Sequence, residues 1–163
     1  MDTAKFLKKM QSEDFYRDQL VHRHTITSRQ ARFGELGRPL PERLAAVLER
    51  SGIKQLYIHQ VEAVEALREG RNVVVVTSTA SGKTLCYNIP VLESILEDPE
   101  SRALYLFPTK ALAQDQLRVI NRYAGPGGIE LRAGTYDRDT PAPLRRKLRD
   151  EAQILLTNPD MLH

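Results

Sequence analysis

The apolar run Val73-Val74-Val75-Val76 leads into Thr77-Ser78-Thr79-Ala80-Ser81-Gly82-Lys83-Thr84, and a helical pattern from Leu85 to Glu97 follows at once. A buried strand that ends in a tight loop and opens a helix leaves several backbone N–H groups free. It also aims the positive end of the helix dipole at the same point. A polyphosphate fits there, cradled by Thr79, Ala80, Ser81 and Gly82. Lys83 adds a point charge for the β/γ-phosphates, and the Thr84 hydroxyl is placed to coordinate Mg²⁺ held jointly with a nucleotide. The segment departs from the strict G-x-x-x-x-G-K-[ST] pattern by placing Thr77 first, and it carries Ala80 where glycine is frequent. Taken alone, Gly82-Lys83-Thr84 also reads as an ordinary helix start.

The rest of the chain repeats the alternation that this unit begins. Strand-like runs at 103–107, 129–133 and 154–157 are separated by helical patterns at 110–123 and 143–151, which implies parallel βαβ units and a doubly wound α/β body. Gly125-Pro126-Gly127-Gly128 reads as a sharp loop between helix and strand. Upstream of the valine run, Pro41 suits the first turn of a helix ended by Gly52, and a second amphipathic helix spans 59–69 before Gly70. An imperfect helix over 3–21 and a polar connector over 22–41 complete an N-terminal accessory segment, residues 1–50, with the α/β domain expected over 51–163.

At 163 residues the chain has room for one domain with a real core and no second full one. Charged residues at 28% against 41% hydrophobic describe a soluble globular protein, and no apolar run approaches the ~20 residues that span a bilayer. The start lacks a secretory pattern, so the cytoplasm is the expected location. The single cysteine, Cys86, rules out an internal disulfide framework and a multi-cysteine metal site within this chain. A net charge of +3 is compatible with a polyanionic partner. Arginines crowd the second half, where they suit either a phosphate-tracking surface or, as in Arg145-Arg146-Lys147, a solvated helix face.

Further polar clusters fall at strand ends. Pro108-Thr109-Lys110 with Gln114 closes one strand and opens a helix, a geometry that grips phosphates. Gly134-Thr135 and Thr157-Asn158-Pro159 stand at the ends of two others. In a doubly wound sheet the carboxyl ends share one edge, so these segments and the phosphate loop are expected along one rim. Each taken singly is equally an ordinary helix cap. Upstream, Gln60 has an amide able to bond the N6/N7 edge of adenine bidentately, and Tyr57 is a candidate platform beside the ring. A cap and a core aromatic are the plainer roles for these two.

In this order the motifs resemble superfamily 2 helicases of the DEAD/DEAH type, at their first RecA-like domain. Gln60 falls where that family carries its adenine-reading glutamine. Residues 77–84 resemble motif I, Pro108 to Gln116 motif Ia, Gly134-Thr135 motif Ib, and Thr157 to Leu162 the following T-x-P motif. The wording of Leu56-Tyr57-x-His59-Gln60, Thr79 to Asn88 and Pro108 to Gln116 is similar to bacterial and fungal DNA-repair helicases with a cysteine-rich, zinc-binding C-terminal domain. Arg29-Gln30-Ala31-Arg32 and Pro41-Glu42-Arg43-Leu44 carry the likeness more loosely. The resemblance implies ATP and Mg²⁺ as cofactors and movement along single-stranded DNA, with RNA an open alternative, through sugar-phosphate contacts that read no bases.

Hydrolysis in that family needs a D-E-x-[HD] motif after a strand and arginine fingers from a second RecA-like domain. The Asp150-Glu151 pair stands before a strand. The chain is therefore expected to be a truncated N-terminal portion without turnover of its own, its sheet completed by the remainder of a helicase or by a partner chain. A non-catalytic module binding nucleic acid or protein through the same rim, and a small P-loop kinase, are the alternatives.

Overall fold

The structure is a computed structural model that describes residues 2–26, 30–125 and 127–161. Arg29, Pro126, Leu162 and His163, which belong to segments singled out above, lie outside them. The chain divides into two units, Met1–Ala31 and Arg32–His163.

In the first unit, α1 (Thr3–Gln11) starts at Asp2, whose Oδ1 accepts the N–H of Ala4 at 3.0 Å and of Lys5 at 3.2 Å. Lys8 and Lys9 in the last turn suit the negative end of the dipole. The helix expected over 3–21 stops at Gln11 because Ser12 turns back, its hydroxyl donating to Lys9 O at 2.7 Å.

The second unit opens with β1 (Phe33–Gly34), α2 (Glu42–Arg50), β2 (Leu56–Tyr57), α3 (Ile58–Arg68) and α4 (Lys83–Glu97). It continues through β3 (Ala103–Leu106), α5 (Lys110–Tyr123), β4 (Ala133–Thr135), α6 (Ala142–Glu151) and β5 (Ile154–Thr157). A single turn of 3₁₀-helix, Pro159–Met161, follows. β1 and β2 pair antiparallel, whereas β3, β5 and β4 form a parallel sheet in that order. Leu44, Val47 and Leu48 of α2 pack with Val64 of α3 and with Ile89 and Leu92 of α4, so the helix near Pro41 belongs to the core of this unit.

Side-chain alternation gives the sheet two faces. Tyr105, Ile154 and Leu156 meet Ile95 of α4 and Ala113 and Ile120 of α5 on one. On the other, Gly134 lies under Leu148 of α6, close enough that any side chain there would collide with it. Helices thus cover both faces, and the body is the α/β parallel-sheet fold read from the sequence. Leu104 and Leu106 on the α6 side remain exposed.

Two strand expectations require correction. Val73–Val76 joins no ladder, and Val74 and Val76 are each 89% exposed. Valine favours strands, but a strand exists only by pairing, and none of the three parallel strands takes this run as a neighbour. The strand expected over 129–133 forms at Ala133–Thr135 instead. Ile129 N–H is taken by Tyr123 O, and Arg132 N–H by the side-chain oxygen of Gln153 at 2.9 Å, so regular pairing begins one residue later.

The strongest polar tie joins α3 to α4. Arg68 donates Nε to Glu93 Oε2 at 3.0 Å and Nη2 to Glu93 Oε1 at 2.5 Å, with only 9% and 6% of the two side chains exposed. Nη1 donates to Arg38 O at 2.7 Å, and Glu65 accepts both from Arg68 and from Gly37 N–H. The hydrogen bond to Glu93 raises the Arg68 pKa above its already high value. Arg68→Ala leaves Glu93 buried and unpaired, and is expected to cost about 3–5 kcal/mol in urea unfolding; replacing both residues by well-packed apolar ones should recover most of that. A loss below about 1 kcal/mol, the worth of an exposed pair, would remove this fork from its structural role.

Candidate nucleotide and nucleic-acid site

The loop before α4 reverses the chain through two left-handed residues, Ala80 at φ 59° and Gly82 at φ 76°. Ala80 tolerates a conformation that glycine adopts without strain, which is why glycine is frequent at this place in such loops. Gly82 is constrained twice, because a Cβ there would lie 2.5 Å from Gln60 Nε2. Lys83 curls back over the loop, donating Nζ to Ser78 O at 2.7 Å and Thr77 O at 3.0 Å. Its ammonium neutralises two carbonyls that would otherwise repel an anion. The Thr77 and Ser81 hydroxyls bond each other at 2.6 Å.

Across from the loop sits the start of α3. Gln60 is 1% exposed; its Nε2 donates to Gly82 O and its Oε1 accepts Tyr57 N–H, both at 2.9 Å. His59 Nε2 lies 3.0 Å from Ser81 O, and since a carbonyl only accepts, that nitrogen carries the hydrogen. Tyr57 stacks on Phe33 at 5.1 Å and on His59 at 5.7 Å between centroids. His59 belongs to the Leu56-Tyr57-x-His59-Gln60 wording already singled out, but nothing in the sequence pattern marks Phe33 as a member of this cluster. Their contacts depend on the β1–β2 pairing and on a loop 22 residues away.

The donor set suits a nucleoside triphosphate with Mg²⁺. A left-handed turn, the start of a helix whose first N–H groups have no intrahelical partner, and a lysine folded over the turn lie together, with Thr84 next in the helix. The helix that carries them runs against the strands. Asn88, near its start, accepts the Tyr105 hydroxyl at 2.9 Å, and Pro99, just past its end, takes Gln153 Nε2 at 2.8 Å. The phosphate loop consequently opens toward the carboxyl ends of the sheet. Burial pushes the Tyr105 phenol far above its usual pKa, so it remains a donor.

At those carboxyl ends the three remaining segments interlock. Phe107 N–H donates to Thr157 O at 2.9 Å and Tyr136 N–H to Leu156 O at 2.8 Å. Thr157 Oγ1 donates to Tyr136 O at 2.6 Å. Thr109 caps α5 through Leu112 N–H, and Gln114 donates to Thr135 Oγ1 at 2.8 Å. Lys110 pairs with Asp139 at 2.5 Å and holds that carboxyl below the usual range. Pro108 and Pro159 are exposed at this edge, Gly134 is buried beneath α6, and Asn158 is largely buried with Oδ1 unpartnered among the described residues. The expected rim therefore exists as one connected surface, though much of the nearby positive charge is committed. Arg145 donates to Thr140 O and Arg138 O, Arg132 to Glu151 O, and Arg118 pairs with Asp115. Asp150 and Glu151 occupy the exposed last turn of α6.

Comparison with known proteins identifies the family and the fold. A family profile described as DEAD/DEAH box helicase matches residues 57–163. The ATP-dependent helicase YprA of Bacillus subtilis (strain 168) is 48% identical over 146 residues, 90% of this chain and 20% of that protein. The ATP-dependent helicase hrq1 of Schizosaccharomyces pombe is 43% identical over 162 residues, 96% of this chain and 15% of that one. A crystal structure of the DUF1998 helicase MrfA bound to DNA and AMPPNP superposes with a TM-score of 0.85 at 44% identity, covering 98% of this chain and 22% of that one. The chain thus spans about a fifth of the length of the relatives it matches, and it belongs to the DEAD/DEAH box helicase family.

Proposed function

We propose that this chain is the ATP-binding, single-strand-contacting N-terminal portion of an ATP-dependent DNA helicase. The observation that carries the reading is the Gln60–Gly82 hydrogen bond, which ties a base-side segment to a phosphate loop. A site built only to hold phosphate needs no such tie. Gln60 makes two bonds and has one N–H and one lone pair left over, the kind of couple that the N6/N7 edge of adenine requires; at 1% exposed it would have to turn outward to offer them. Tyr57 and its stacked neighbours then flank the base. Thr79 to Lys83 enclose the phosphates, and Thr84 ligates Mg²⁺, which supplies charge neutralisation between the β- and γ-oxygens when bound.

Pro108, Thr109, Lys110, Gln114, Thr135 and Pro159 line the face that would hold the sugar-phosphate backbone of one strand; Gly134, buried beneath α6, and Thr157 and Asn158, largely buried, support these segments from below rather than touch the strand. The connected rim at the carboxyl edge of the sheet supports this, as does the DNA in the MrfA structure. DNA is the favoured strand, and repair its favoured context from the wording of the motifs. Asp150 and Glu151, at the end of a helix, are not placed to hold Mg²⁺ at a strand end, so turnover draws on residues other than these. Exposed Val74, Val76, Leu104 and Leu106 mark the seam where the remainder of the helicase or a partner chain completes the sheet.

Lys83→Ala should weaken Mg·ATP binding at least tenfold by isothermal titration, with the fold retained by circular dichroism; unchanged affinity would remove the loop from the nucleotide site. Lys110→Ala should weaken binding of an oligothymidylate and flatten the slope of log K against log salt by about 0.7, one single-strand phosphate contact. A parallel shift with no change in slope would contradict a direct phosphate contact.

A further inference from the structure

Lys110 meets an anion that belongs to the protein itself. Its ammonium lies 2.5 Å from Asp139 Oδ2, and both side chains face solvent, 43% and 81% exposed. A carboxylate offers the same sign of charge and the same kind of acceptor oxygens as a backbone phosphate, at the spot where α5 begins. The loop that presents it is firmly built. Asp137 Oδ1 accepts the N–H of Asp139 at 2.9 Å and of Thr140 at 3.1 Å, and Arg145 donates to Thr140 O and Arg138 O, each at 2.7 Å. Arg145 also stacks over Tyr136 at 5.9 Å. Held from both sides, Asp139 gives up little freedom in reaching Lys110. Gln114 and Thr135, bonded to each other, line the same hollow beside the pair.

We propose that Asp139 is an internal stand-in for phosphate that competes with the nucleic-acid backbone for Lys110, making this rim contact displaceable. The proposal rests on the reading of Lys110 as a nucleic-acid contact. A strand-tracking surface must release the phosphates it grips, and a carboxylate waiting at the same ammonium lowers the cost of release. It does so without occupying the neighbouring backbone contacts.

The test is fluorescence anisotropy of a labelled oligothymidylate with the full chain as wild type, Asp139→Asn, Lys110→Ala and the double variant, at low and moderate salt. Asp139→Asn is expected to tighten binding about two- to fivefold at low salt, the range of an exposed ion pair, with the gain fading as salt rises. In the Lys110→Ala background the same change should have no effect. No gain from Asp139→Asn in the wild-type background overturns the proposal. An equal gain with and without Lys110 also overturns it, since that reports only the change in net charge. Lys110→Ala that leaves affinity untouched removes the reading of Lys110 itself, and the competition with it.

Discussion

The arginine fork between Arg68 and Glu93 fixes how α3 lies on α4, and the proposed nucleotide site depends on that alignment. At the opposite end of the pair, Gln60 and His59 reach the loop at Gly82 and Ser81. The two helices are therefore tied at both ends and run side by side in the same direction. A small rotation of either would open the 2.9 Å bond at Gly82 before it disturbed the apolar contacts of Val64, Ile89 and Leu92. Buried charge of this kind contributes less to net stability than to holding one arrangement, because an equally packed apolar pair would be no less stable.

The same economy appears at the rim. The parallel order β3-β5-β4 sets three carboxyl ends side by side, and short hydrogen bonds from Thr157, Gln114 and Phe107 lock them into one surface. Tyr105 connects that surface to α4 through Asn88. A chain of packed and hydrogen-bonded groups thus runs from phosphate loop to rim. Such continuity is what an enzyme of this family would need to make strand affinity depend on nucleotide, provided the connection has two arrangements.

Much of this was legible in the sequence, and the exceptions share a cause. The helices at 110–123 and the strand at 154–157 follow directly from their apolar periods, since both bury a face against neighbours that are present. Val73–Val76 carries an equally plain strand signal and still forms none, because pairing is a property of the neighbours rather than of the run. The β4 boundary moved for a local reason, a glutamine side chain taking the place of a ladder partner at Arg132. The motif segments at Lys110, Thr135 and Thr157 meet at the carboxyl edge of the sheet, with Gly134 and Thr157 buried there, whereas Phe33 and the role of Asp139 emerge only from tertiary contacts. Asp139 in particular looks like any loop acid until the turn closed by Asp137 brings it to Lys110.

The central claim is that base and phosphate are held by one connected unit. Its most direct test compares binding of Mg·ATP, Mg·GTP and inorganic tripolyphosphate to the wild type and to Gln60→Ala by isothermal titration. A connected site predicts that the wild type prefers ATP to both competitors, and that Gln60→Ala abolishes the preference over GTP while tripolyphosphate still binds. Equal affinity of the wild type for all three ligands would contradict it, leaving an anion cradle that reads no base.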